Sequence, residues 1–121
     1  MSPRSVLLVD DDEGIREALS ETLRDEGFSV ATAENGRVAM RWLHEHRPSS
    51  CVILLDLMMP VMDGNEFLRV KQDDEALAGI PVVIITASAG LVAERTADIK
   101  DLIVKPIELP QLMAALESCY G

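Results

Sequence analysis

Basic residues are scarce in this chain. Lys and Arg number 11 against 21 Asp and Glu, giving a formal net charge of −10 over 121 residues. Neutralising phosphates requires a basic face, so this balance argues against a nucleic-acid partner and against docking on an anionic membrane surface. Long hydrophobic runs are missing too. No stretch approaches the ~20 apolar residues of a membrane span. The first apolar run, residues 6–9, is too short for a signal-peptide core and leads straight into three aspartates. Cysteine is limited to Cys51 and Cys119, which match no metal-binding or redox spacing. Two such thiols fit a reducing cytoplasm better than a disulfide framework. Neither G-x-G-x-x-G nor G-x-x-x-x-G-K-[ST] occurs, which removes the common nucleotide-binding loops. What remains is a cytoplasmic chain whose length suits a single domain over residues 1–121.

Hydrophobic patterning supplies the fold class. Short continuous apolar runs occupy residues 6–9, 51–55, 82–85 and 102–104, with a weaker one at 28–33. Such runs suit strands buried on both faces of a parallel sheet. Between them lie helical patterns: Ile15, Ala18, Leu19, Thr22 and Leu23; then Val38, Ala39, Trp42 and Leu43; then Leu109, Leu112, Met113 and Leu116. Gly27 ends the first of these helices, and Asn35-Gly36 leads into the second. Asp63 followed by Glu66 resembles a capping box opening a third, and residues 91–99 read as a short fourth. The result is an α/β chain, (βα)5, with a doubly wound five-stranded parallel sheet.

Ligands of such sheets bind outside the carboxyl ends of the strands, so the residues at those ends matter most. Strand one ends in Asp10-Asp11-Asp12, strand three in Asp56, strand four in Thr86 and strand five in Lys105. Taken singly, Asp10–Glu13 reads as an acidic helix start, Thr86 as a strand residue and Lys105 as a solvated turn lysine. Asp56 resists that treatment, because it interrupts an apolar stretch and a carboxylate there needs a partner. Carboxylates about 4 Å apart repel by roughly 4 kcal/mol per pair at an effective dielectric of 20. Gathering Asp10, Asp11 and Asp56 therefore calls for a cation, and an all-oxygen site suits Mg²⁺ better than zinc or iron. An aspartate beside Mg²⁺ is a competent nucleophile towards phosphorus, with Thr86 and Lys105 positioned to meet phosphoryl oxygens.

Four motifs carry a resemblance to a known family: Val9-Asp10-Asp11-Asp12, the stretch from Leu55 to Gly64 (LDLMMPVMDG), Ile85-Thr86-Ala87, and Lys105-Pro106. In order and spacing the chain resembles the receiver domain of bacterial two-component response regulators. The resemblance implies a flavodoxin-like strand order 2-1-3-4-5 and a phosphoacceptor function. Asp56 would take a phosphoryl group from a phosphohistidine on a histidine kinase or histidine phosphotransfer protein. Mg²⁺ would be held by Asp10, Asp11, Asp56 and the backbone carbonyl of Met58, with Thr86 and Lys105 on the phosphoryl group. It further implies a cis Lys105-Pro106 bond, and signalling through protein contacts rather than enzymatic turnover of a substrate. The chain departs from the family in having Leu102 where an aromatic residue is common, and in a shortened stretch between Thr86 and Lys105.

Rival readings are weaker. His44-Glu45-His46-Arg47-Pro48 is similar to a histidine-kinase phosphoacceptor box, but it sits at the end of a short helix and reads as a solvated terminus. Met58, Met59 and Met62 are expected to pack around Asp56, Trp42 to join the core, and Cys51 to be inert. A haloacid-dehalogenase-type phosphatase needs a second aspartate at position 58, which is Met. The alternative of another class is a receiver-like interaction module independent of phosphorylation. A stand-alone receiver and a piece of a longer regulator are both compatible with the sequence.

Overall fold

Alternate residues of the central strands face two separate apolar layers, which is why their sequences read as unbroken hydrophobic runs. The computed structural model describes residues 4–48, 50–59, 61–87, 90 and 98–120. Its elements in chain order are β1 (Ser5–Val9), α1 (Glu13–Asp25), β2 (Ser29–Ala33), α2 (Gly36–His46), β3 (Cys51–Asp56), α3 (Gly64–Gln72), β4 (Val82–Thr86), β5 (Ile99–Val104) and α4 (Leu109–Tyr120). The five strands form one parallel sheet in the order β2-β1-β3-β4-β5. That is the α/β architecture and strand order expected from the sequence.

Leu7, Val9, Ile53, Leu55, Val82 and Ile84 point to one face, where they pack with Ala39, Met40 and Leu43 of α2 and Phe67 and Leu68 of α3. Val6, Leu8, Val52, Leu54, Val83 and Ile85 point to the other, against Leu23 of α1 and Leu112, Ala115 and Leu116 of α4. Full burial of each such side chain is worth about 1.5–3 kcal/mol. A one-residue slip would exchange the faces of an entire strand.

The helix boundaries follow local chemistry. Asp12 caps α1, its Oδ1 accepting from the Ile15 N–H at 3.1 Å, and Gly27 leaves that helix at φ 96°. Asn35 caps α2 through the Val38 N–H, and Asp63 caps α3 through the Glu66 N–H, both at 2.9 Å. The anticipated helix over 91–99 lies outside the described residues from 91 to 97. Ile99 belongs to β5, which starts three residues before the 102–104 run. This early start brings Lys100 and Asp101 into the ladder; β5 is an edge strand, so charged side chains there reach solvent. Among the described residues, no helix is long and apolar enough to cross a membrane.

One core contact has no apolar logic. Gly64, Phe67, Leu68 and Lys71 form the buried face of α3, and Lys71 is fully buried. Its ammonium donates to Asp98 Oδ2 at 2.6 Å and to the Ala78 carbonyl at 2.9 Å. Burial lowers the lysine's pKa, opposed by the hydrogen bond and charge of Asp98. Asp98→Ala should cost about 3–5 kcal/mol, because a buried cation loses its counter-charge. Adding Lys71→Met should recover most of that loss, as measured by urea unfolding.

Candidate functional site

The register of the sheet assembles the acidic site. Val9 pairs with Leu55, so the next residues, Asp10 and Asp56, leave β1 and β3 side by side. These strands flank the point where strand order reverses, and the crevice at their carboxyl ends is the expected ligand position. Asp56 pairs with Ile85 and Thr86 with Val104, which places Thr86 and Lys105 at the same edge. The Lys105 N–H donates to the Thr86 carbonyl at 2.8 Å, and the Lys105-Pro106 bond is cis.

Carboxylate oxygens of Asp10, Asp11 and Asp56 all lie within 4.8 Å of one another. Asp10 and Asp56 are buried, whereas Asp11 is exposed. Asp10 Oδ1 accepts from the Asp12 N–H at 2.9 Å, and the Asp10 carbonyl accepts from Arg16 Nη1 at 2.7 Å. Asp56 Oδ1 accepts from the Met58 N–H at 3.1 Å. The Lys105 ammonium stands 3.6 Å from Asp56 Oδ2 and 3.9 Å from Asp10 Oδ2. Among the described residues, Lys105 is the cation whose side chain is paired with the Asp10 and Asp56 carboxylates. At 4.8 Å, two ionised carboxylates still repel by about 3–4 kcal/mol at an effective dielectric of 20. Burial raises the pKa of Asp10, the Asp12 N–H and Lys105 lower it, and the charges of Asp56 and Asp11 raise it further.

The chain leaves Asp56 under tight steric control. A Cβ on Gly64 would lie 2.6 Å from the Leu57 Cα and 3.0 Å from the Asp56 carbonyl oxygen, so only glycine allows α3 to begin so close to the end of β3. The Gly64 N–H donates to the Leu57 carbonyl at 3.0 Å. The acid run after β1 divides its work: Asp12 caps α1, Glu13 lies in its first turn, and Asp10 and Asp11 enter the cluster.

The structure therefore brings together Asp10, Asp11, Asp56 and Lys105, with Thr86 buried at the adjoining strand end. The methionines behave unequally. Met59 is buried and Met62 packs on the core, but the Met58 side chain is 62 % exposed and does not close over Asp56. Leu102 is half-buried against the core layer shared with α2 and α3. Burial lifts the Cys51 thiol to about 11, consistent with an inert thiol. His44 and His46 lie in the last turn of α2, as expected. His44 is nevertheless hydrogen-bonded to Asp74 at 2.8 Å, and His46 stacks on Trp42 with ring centroids 4.4 Å apart. Neither contact was legible, because each depends on where the helix end meets its surroundings.

A pH dependence follows from Asp10. Its folded pKa lies above the ordinary value of 3.8, so the folded state binds its proton more tightly than the unfolded chain does. No penalty exists below the unfolded value, and a penalty grows as pH rises through the folded one. In chelator, Asp10→Asn should stabilise the protein at pH 7 and leave it unchanged at pH 3, as read by urea unfolding. A loss of stability at pH 7 would show that the carboxylate is needed as a structural acceptor.

Known proteins fit this geometry. The family profile described as the response regulator receiver domain matches residues 6–117. The chain is 37 % identical over 118 residues to the DNA-binding response regulator MtrA of Mycobacterium tuberculosis, covering 93 % of this chain and 49 % of MtrA. It is 36 % identical over 123 residues to the response regulator MprA of Mycolicibacterium vanbaalenii, covering 96 % and 50 % respectively. The chain spans about half the length of these relatives. Among solved structures, FixJ-N superposes with a TM-score of 0.84 at 28 % identity, covering 99 % of this chain and 95 % of that one. The chemotaxis protein CheY4 of Vibrio cholerae gives 0.81 at 28 % identity, covering 98 % and 99 %. The chain belongs to the response regulator receiver domain family, the signalling module of two-component systems.

Proposed function

We propose that Asp56 is the phosphoacceptor of this receiver and that residues 1–121 act as one cytoplasmic receiver domain. The observation that carries the reading is the convergence of Asp10, Asp11 and Asp56 within 4.8 Å beneath the Lys105 ammonium. A histidine kinase or histidine phosphotransfer protein supplies the phosphoryl group. A carboxylate oxygen of Asp56 bonds to phosphorus while the phosphorus–nitrogen bond of the phosphohistidine breaks. The electron pair leaves on the imidazole nitrogen, and the product on Asp56 is an acyl phosphate.

Three clustered carboxylates with no thiolate or imidazole among them form a hard oxygen donor set, which fits Mg²⁺. Asp10, Asp11 and Asp56 would hold the ion, with the Met58 carbonyl as a further ligand. When bound, it supplies positive charge that offsets the carboxylates and the phosphoryl oxygens. The protein's own groups position the reaction. The Met58 N–H fixes one oxygen of Asp56, and Lys105 stands at the other. Lys105 pairs with the incoming phosphoryl oxygens, and the Thr86 hydroxyl meets the same group. Output passes to a downstream protein through altered contacts, so phosphorylation must stabilise one conformation more than another.

Incubation with acetyl phosphate and Mg²⁺ should add the mass of one phosphoryl group, and Asp56→Asn should abolish the gain. Undiminished labelling of Asp56→Asn would place the acceptor elsewhere. No mass gain in the parent protein would favour an interaction module that signals without phosphorylation.

A further inference from the structure

Arg16 lies early in α1 and is half-buried. Glu13 stands three residues before it, a spacing at which helical acids and bases commonly pair. Arg16 nevertheless forms no ion pair with Glu13 or with any other described residue. Its Nη1 donates instead to the backbone carbonyl of Asp10, at 2.7 Å. A guanidinium on an acidic helix is thus committed to a neutral acceptor, and that acceptor belongs to a residue of the acidic cluster.

The contact completes a set of bonds around the junction of β1 and α1. The Asp10 N–H donates to the Ala33 carbonyl at 3.1 Å, at the end of β2. The Asp12 N–H holds Asp10 Oδ1 at 2.9 Å, and Asp12 Oδ1 accepts from the Ile15 N–H. The Arg16 N–H donates to the Asp12 carbonyl at 3.0 Å. Arg16 therefore holds the segment twice, through its backbone at Asp12 and through its side chain at Asp10. Asp11 lies between these two points. Its carboxylate is exposed and accepts no hydrogen bond from the described residues, so its place in the cluster is set by the backbone on either side.

We infer that Arg16 is a positioning residue for the cation site: by holding the Asp10 carbonyl it fixes where the Asp10 and Asp11 carboxylates stand against Asp56. This rests on the reading of those three acids as Mg²⁺ ligands. Charge alone predicts the opposite sign. Removing a positive charge bonded to a residue of an acidic site should leave cation binding unchanged or make it tighter. Loosening the donors should weaken it, and partners that orient metal ligands are typically worth about 10–100-fold in affinity.

The test is urea unfolding across a series of free Mg²⁺ concentrations at constant ionic strength. A bound ion adds little stability below its dissociation constant and steadily more above it, so the break in the curve reports affinity separately from metal-free stability. Arg16→Met should move the break at least about tenfold higher in Mg²⁺. Arg16→Lys, which retains the charge and a donor, should move it by less. Arg24→Met is the comparison, because Arg24 also bonds a backbone carbonyl, that of Val30 at 3.2 Å, but from the last turn of α1. It should change stability by the same amount at every Mg²⁺ concentration and leave the break in place. An Arg16→Met curve that is merely displaced, with its break unmoved or at lower Mg²⁺, would overturn the inference. So would an equal shift of the break by Arg24→Met, since the effect would then belong to α1 as a whole. A parent protein with no break would instead overturn the Mg²⁺ reading on which the role of Arg16 depends. If Arg16→Met does not fold, Arg16→Gln is measured against the same criteria.

Discussion

Repulsion among carboxylates is the constraint around which this domain is organised. Asp10 and Asp56 are held side by side because Val9 and Leu55, the residues before them, are locked in register. The apolar layers on both faces of the sheet fix that register, since sliding either strand would turn its core side chains outward. Hydrophobic burial thus forces together charges that would otherwise separate. Asp11, Asp12 and Asp63 show how the surroundings are arranged. Asp12 and Asp63 are spent on capping helices, and Asp11 stays at the solvent-facing rim of the cluster. Lys105 supplies one positive charge from a separate strand, too little to neutralise three acids. The site is consequently receptive to cations, and to an incoming phosphoryl group only when its negative charge is offset.

Much of this could be read from the sequence because its cause is local or periodic. The strands announced themselves as apolar runs, since residues such as Leu7 and Leu8 each have a core to enter on opposite faces. The cap at Asp63 was visible as a side chain suited to an orphan N–H group, whereas Asp12 and Asn35 read only as an acidic helix start and a turn. The acidic site was legible because strand ends in a parallel sheet converge on one edge, so Asp10, Asp56, Thr86 and Lys105 needed only the strand positions to be placed together.

Other features depend on meetings between distant segments, and no local pattern encodes them. Lys71 looks like an ordinary charged residue near a helix end until Asp98, 27 residues later, is found beside it. The early start of β5 was hidden because Lys100 and Asp101 lack the apolar character of a strand, and an edge position tolerates that. The His44–Asp74 contact joins α2 to the turn after α3. At the opposite end of the sheet, the Tyr120 hydroxyl donates to the Ser5 carbonyl, and the Arg4 guanidinium lies 5.6 Å from the Tyr120 ring centroid and 5.8 Å from that of Phe28. These contacts tie the last helix to the first strand, far from the acidic edge. Met58 shows the converse. Its position in the loop after Asp56 encouraged an expectation of packing, whereas its backbone N–H engages Asp56 while its side chain stays in solvent.

Asp10, Asp11 and Asp56 stand together at an electrostatic cost that a bound cation would relieve. Folding stability as a function of free Mg²⁺ tests it most directly, by urea unfolding at constant ionic strength. Stability should be flat at low Mg²⁺ and then rise by about 1.4 kcal/mol for each tenfold increase above the dissociation constant, the slope for a single ion bound only by the folded state. Stability independent of Mg²⁺ at every concentration up to tens of millimolar would mean that the acidic cluster does not take the ion.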